Sequence, residues 1–349
     1  MNKLITIPPN TNEIEMRKKL NKLLSDSRKL SKPTKCILCG NPQTSFCNSH
    51  SVPQMSLKTI SQNGKLLQST GLVGIELVDI EKGVNNSGTF NYICNSCDRD
   101  FFRDYETYEN LMNRPSDKIL GEIAVKNILL QISKRTMEQE LYTLLQNEYS
   151  PFEQLDVLKD IQKMDISEYS SELEFHKNIV DNDIKNGYRI LYWNLLPYTV
   201  PIAIQSAMTL DLDLENNEVN NIYKLDPSVR MQYLHLCVFP LKEQSYVLLF
   251  YHKRDKNYNR LRHQFNCLSQ EKKLSYINYL IFTQTENYFM SLSLSGEVKT
   301  NKLLQKASQE LNHLPSLGFL GYDNHLGLDY TPVKIDDLPN FLSPEWALK

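Results

Sequence analysis

Apolar residues near the start of the chain recur at helical spacing. Met16, Leu20, Leu23, Leu24 and Leu30 share one side of residues 12–31, lysines occupy the other faces, and Lys32-Pro33 ends the predicted helix. Residues 34–110 lack that period and read as a compact, turn-rich unit. Its predicted strands are Leu72–Ile80 and Phe90–Ile93, with loop chemistry over Lys82–Gly88 between them. A helix start follows at Asp98, where acidic residues suit the positive end of a helix dipole. Pro115-Ser116 leads into a long helix near 117–148, mostly buried by its Ile119, Ile123, Leu130 and Leu120, Ala124, Ile128 rows, with Lys126 among them. Residues 152–185 read as a second, more exposed helix.

The texture changes again at Asn186-Gly187. Runs 189–196, 201–214, 232–239 and 246–251 are rich in β-branched, aromatic and leucine residues, and several alternate as half-buried antiparallel strands do. Helices are expected at 256–267, 271–290 and 299–312, and a proline-rich tail should be irregular. The fold class is therefore α+β. A basic helix (1–33) precedes a small module (34–112), a helical region (113–185) and a C-terminal α+β domain built on an antiparallel sheet (186–349).

Length fits more than one ordinary core, since the chain has 349 residues. No apolar run approaches the roughly 18 residues that span a bilayer, so no membrane association is expected. The N-terminus has no apolar signal-type stretch, and the expected location is the cytoplasm. Net charge is −2, but residues 1–40 carry nine basic side chains against three acidic ones. Arg17, Lys18, Lys19 and Lys22 are the candidates there for phosphate contacts, against the plainer reading of a solvated helix face.

Four of the seven cysteines fall in two tight pairs, Cys36-Ile-Leu-Cys39 and Cys94-Asn-Ser-Cys97. Two residues between cysteines let one turn aim both sulfurs at one ion, and two such pairs supply the four thiolates of a structural Zn2+ site. The odd cysteine count and the expected reducing compartment argue against a disulfide framework. Cys47-x2-His50 also has zinc-ligand spacing, so His50 can be read as a structural ligand or as a core histidine.

The order C-x2-C, strand ending in His, then C-x2-C opening a helix resembles the zinc-containing HNH (ββα-metal, treble-clef) endonucleases. It also resembles a bacterial HNH-like subgroup with a Ser-His-x-x-Pro segment and a Cys-x2-Cys-Asp helix. The likeness covers residues 34–110 and rests on Ser49-His50-Ser51-Val52-Pro53 and on Cys94 to Phe102. It implies an endonuclease, a hydrolase of phosphodiester bonds in DNA or, second, RNA, and a place in bacterial antiphage defence. His50 would be the general base. Asp98 would hold a catalytic Mg2+ or Mn2+. Asn85 or Asn86 would orient the histidine. Glu106, two helical turns past Asp98, would be a second carboxylate on the same face.

The departures from the family pattern are specific. Ser49 stands where Asp or His is usual, Asp98 where His or Asn is usual, and the His50–Asp98 spacing is long. The alternatives are a non-catalytic zinc scaffold that binds nucleic acid or protein, and an effector gated by a ligand. The C-terminal domain would then serve recognition, regulation, a protein partner or homo-oligomerisation. His176, His235, His252, His263, His313 and His325 show no ligand spacing, and the basic stretch 253–262 reads as solvated.

Overall fold

The structure, a computed structural model, describes residues 12–69, 81–148, 153–222, 224, 226–310 and 333–349. It is a mixed α/β protein. Helix α1 (Glu13–Leu30) starts where the Asn12 side chain accepts the Ile14 N–H at 3.0 Å. Five short elements follow: β1 (Ser49–His50), α2 (Gln54–Ile60), β2 (Lys65–Gln68), β3 (Glu81–Gly83) and β4 (Thr89–Phe90). Then come α3 (Asn95–Phe101) and α4 (Tyr108–Leu111). The strand expected at Leu72–Ile80 lies outside the described residues. The one expected at Phe90–Ile93 pairs only through Phe90. Beyond it, the Tyr92 and Ile93 carbonyls turn to accept Ile37 N–H (3.1 Å) and Cys47 N–H (2.8 Å).

Two long helices, α5 (Asp117–Glu148) and α6 (Glu153–Asp181), pack against each other, and α1 lies on α5. Strands β5 (Tyr188–Leu196), β6 (Ile202–Met208), β7 (Leu234–Pro240) and β8 (Ser245–His252) follow. After α7 (Tyr258–Asn266) and α8 (Gln270–Gln284) comes β9 (Tyr288–Met290), then α9 (Ser295–Thr300) and α10 (Lys302–Glu310). The helix expected to run through residue 290 stops at Gln284. Thr285 is extended (φ −152°, ψ 153°) and its hydroxyl accepts the Asn287 N–H at 3.1 Å, a local bond that competes with another helical turn.

All seven strands of the main sheet are antiparallel, in the order β3-β2-β9-β6-β7-β8-β5. The cysteine-bearing segment therefore does not stand apart from the C-terminal sheet. It contributes β2 and β3, joined through the pairs Leu67↔Met290 and Gln68↔Phe289. The central strands are not half-exposed as their alternation suggested, because both faces are covered. Cys237, Phe239, Leu248 and Phe250 face a core that includes Ile123, Ala124 and Ile128 of α5. Leu236, Val238, Leu249 and Tyr251 face Leu261 and Phe265 of α7 and Ile277 and Ile281 of α8.

Gly88 sits where the β1–β4 pair meets this sheet. Its φ is +62°, and an added Cβ would lie 2.5 Å from Phe289 Cζ and 2.7 Å from Ser51 Oγ. Strain in the backbone and overlap with a buried ring add together here. Gly88→Ala is therefore expected to lower stability by about 2–4 kcal/mol. Urea unfolding of the variant beside wild type measures this, and an unchanged midpoint would contradict the packing described.

Candidate metal centre and the polar cluster beside it

The first cysteine pair sits on a tight knuckle. Gly40, at φ +71°, lets its N–H reach back to the Cys36 carbonyl at 2.7 Å, and the Cys36 N–H bonds the Asn41 carbonyl at 2.9 Å. The second pair opens α3, with the Asp98 N–H on the Cys94 carbonyl at 3.0 Å. Ile37 and Cys47 tie the knuckle to the residues leading into Cys94, and the Tyr92 hydroxyl donates to the Ser31 carbonyl at 2.7 Å. As a result the sulfurs of Cys36, Cys39, Cys94 and Cys97 lie within 4.8 Å of one another. Cys39 and Cys94 sulfurs are 4.0 Å apart, against about 3.8 Å for two corners of a tetrahedron with 2.3 Å Zn–S bonds.

The charge state of the four thiols points the same way. Cys94 is drawn down to about 6, chiefly by the Ser96 hydroxyl, while burial and neighbouring thiols push Cys97 upward. Four crowded thiols cannot all ionise without a cation among them, and a dication removes that conflict. The residues fit a zinc-type ion, and Cys36, Cys39, Cys94 and Cys97 would hold it.

A second cluster adjoins the first. Ser49 of β1 is fully buried, and its hydroxyl donates to Asp98 Oδ1 at 2.5 Å. The Cys47 thiol donates to Asp98 Oδ2 at 3.2 Å, and burial together with that carboxylate raises Cys47 to about 12. Cys47 thus serves Asp98, and neither it nor His50 joins the four-sulfur group. Lys126 of α5 reaches in from the far side. Its Nζ lies 2.9 Å from Ser49 Oγ, 2.9 Å from Asp98 Oδ1 and 3.3 Å from Glu106 Oε1. It also stands 3.9 Å from the centre of the Phe102 ring. Burial alone would raise the Asp98 carboxyl, but Lys126, Ser49 and Cys47 outweigh it and hold it below its ordinary value.

Glu106 arrives by a different route from the one its spacing suggested. Helix α3 ends at Phe101, and a turn carries the chain onward, so Glu106 is not two turns along one helix. His50 is half-buried, and its Nε2 lies 3.2 Å from the Val84 carbonyl. A carbonyl only accepts, so this nitrogen carries the proton and Nδ1 keeps its lone pair. Burial lowers the His50 pKa and favours the neutral ring. The backbone of Val84, rather than a side chain of Asn85 or Asn86, orients the ring. Asn86 is exposed, and Asn85 accepts from Asn48 and Gln54.

An oxygen-ligated divalent ion needs anionic oxygens free to face it. Both Asp98 oxygens already accept bonds, and an ammonium stands between Asp98 and Glu106. As arranged, these residues do not fit Mg2+ or Mn2+.

Of the basic residues singled out on α1, Lys18 and Lys22 are exposed and Lys19 is half-buried, while Arg17 lies within the helix. Arg28, further along α1, faces Lys82 of β3 closely enough to depress that lysine, after burial. Lys58 lies near His50 and lines an open cleft of about 300 Å³ with Ser61, Gly64, Gly83, Val84, Asn85 and Asn86.

Sequence spacing missed a third grouping. His176, His235 and His252 come together in the core, with ring centres 5.7 Å (176–235) and 6.1 Å (176–252) apart. The Tyr188 hydroxyl meets His176 Nδ1 at 2.7 Å, and Asn127 Nδ2 meets His235 Nδ1 at 3.1 Å. Arg254 and Arg230 both pair with the buried Glu172, and Arg230 also pairs with Asp255. The basic stretch expected to be solvated thus supplies internal partners: Arg254 lies 3.3 Å over the Phe175 ring, and Arg260 pairs with Asp213.

Comparison with known proteins returns no match: no family model, no curated protein and no solved structure is similar to this chain. Among the described residues no helix is long and apolar enough to cross a membrane.

Proposed function

We propose that residues 34–110 form an HNH-like, zinc-stapled module that acts on the phosphodiester backbone of nucleic acid, DNA ahead of RNA, with His50 as its base. The bond from His50 Nε2 to the Val84 carbonyl carries the reading, because it leaves a neutral ring with a basic Nδ1 at the edge of the β1–β4 pair. The order of knuckle, antiparallel β1–β4 pair and helix around four converging sulfurs supports it. In the proposed hydrolysis Nδ1 takes a proton from water as the water oxygen bonds to phosphorus. The bond from phosphorus to the leaving sugar oxygen breaks, that oxygen takes a proton from solvent water, and His50 returns its own proton to solvent. Lys58, Lys82 and Arg28, with the basic residues of α1, supply positive surface for the backbone. The C-terminal sheet would serve target recognition, regulation or self-association, and a role in defence is the setting we favour.

Purified protein incubated with plasmid is expected to nick or cleave it, and His50→Ala is expected to lose on the order of 10²-fold or more in rate. Equal rates in wild type and variant would sink the assignment of the base. A second reading is favoured by one observation, the Lys126 ammonium seated between Asp98 and Glu106. In it the module is a nucleic-acid-binding scaffold. Retained DNA binding in a mobility-shift assay, weakened by Lys18→Ala and Lys22→Ala, with no cleavage at all, would select that reading.

A further inference from the structure

We infer that Lys126 is the resident cation of the Asp98–Glu106 pair, and that the native protein takes no divalent ion there. An ammonium has three N–H donors, and three oxygens meet Lys126 Nζ: Ser49 Oγ at 2.9 Å, Asp98 Oδ1 at 2.9 Å and Glu106 Oε1 at 3.3 Å. The Phe102 ring face adds a fourth, non-hydrogen-bonding contact at 3.9 Å. No donor is left over.

The side chain is 1% exposed and grows from a buried stretch of α5. A dication between the same carboxylates would sit within a few ångströms of this buried ammonium, and the two like charges would repel. Both Asp98 oxygens are already engaged, since Oδ2 holds the Cys47 thiol and Oδ1 holds both Ser49 and Lys126, so a dication would have to displace or share these bonds.

Ser49 fits this arrangement on its own chemistry. A hydroxyl accepts from the ammonium and donates to the carboxylate at once, which a carboxylate in its place cannot do, and it is a poor ligand for a hard dication. Ser49 and Lys126, 77 residues apart, therefore belong to one device. It joins β1, α3, the Glu106 turn and α5 around a charge that no chelator can remove. Lys126 is a positioning residue: it acts by fixing Asp98 and, through Ser49, the strand that carries His50. The inference rests on this geometry and not on the nuclease reading. Within that reading it means that cleavage needs no added Mg2+ or Mn2+.

The test is Mn2+ binding to the full-length, zinc-loaded protein, followed by the electron paramagnetic resonance of free Mn2+. Wild type is expected to show no binding that Asp98→Asn removes. Lys126→Met opens the pair, and is expected to bind one Mn2+ at least about tenfold more tightly than wild type, with the gain lost in Lys126→Met/Asp98→Asn. Wild-type binding of one Mn2+ that depends on Asp98 would overturn the inference. So would a folded Lys126→Met that binds none. Should that variant fail to fold, the wild-type ammonium is read directly by 15N NMR: the Lys126 Nζ signal should be unmoved by millimolar Mg2+, and its displacement would overturn the inference. Neither readout depends on cleavage, so an inert protein leaves this test intact.

Discussion

Zinc analysis of the purified protein is expected to return one ion per chain, and Cys94→Ser to lose it together with the fold of residues 34–110. The four sulfurs join a knuckle and a short helix whose elements are very short, although residues such as Ile93 and Phe102 also reach the main core: β1 and β4 are two residues each, and α3 has seven. Isolated pieces of that length do not persist in water. The stabilisation at stake is on the order of 10 kcal/mol, the scale of structural zinc in small domains. The damage should spread, because β2 and β3 pair into the main sheet through β9 and Lys126 of α5 anchors on Asp98. Metal content by elemental analysis, thermal melting and limited proteolysis read the three levels. A Cys94→Ser protein that keeps its melting temperature and its protease resistance would show that the four cysteines are core residues only.

Acid is expected to destabilise the protein through its buried histidines, against a partial offset from Glu122, whose buried carboxyl is raised to about 7 and is protonated first in the folded state. His176 and His235 are fully buried, and burial first, then charge from Arg254, Arg230 or neighbouring histidines, lowers His176 to about 3 and His235 well below its usual value. His252 is lowered to about 3 as well. The groups facing the cluster are Arg230, Arg254, Glu172, Asp255, Tyr188 and Asn127. Of the two carboxylates, Glu172 is engaged by both arginines and Asp255 by Arg230.

A folded-state pKa below the unfolded one means that the unfolded chain binds the extra protons. Stability is therefore intact above about pH 6.5 and falls as pH drops from there toward 3. His176 costs about 1.4 kcal/mol per pH unit in that window, or about 2 kcal/mol at pH 5, and His235 acts in the same direction. Urea unfolding at pH 7, 6 and 5 measures the slope, and His176→Gln and His235→Gln should each make it shallower. A slope that neither histidine variant changes would mean that these rings reach water.

Several features were legible in the residues because their causes are local. The helix over 12–31 with its end at Lys32-Pro33, and the long helix over 117–148, follow from period and prolines. The four-sulfur group followed from C-x2-C spacing, which is set within one turn. Lys126 carried a signal that spacing alone did not convert into a role. It lies on the row of Ile119, Ile123 and Leu130 in a helix read as buried, and a lysine there requires buried acceptors. Which acceptors it meets is not written near it, since Ser49 is 77 residues away and Asp98 28.

The sequence by itself determined the elements whose energetics are short-range: the helices, the two cysteine-bearing turns, the strand-forming runs and the basic N-terminal helix. Tertiary structure alone decided which strands share a sheet, why Gln205 and His235 sit fully buried within it, and how three histidines scattered over residues 176–252 became one cluster. It also decided that a lysine side chain fills the space between Asp98 and Glu106. The reason is that pairing across a sheet and neutralisation of buried charge depend on distance in space, and residues far apart along the chain meet only when the whole core closes around them.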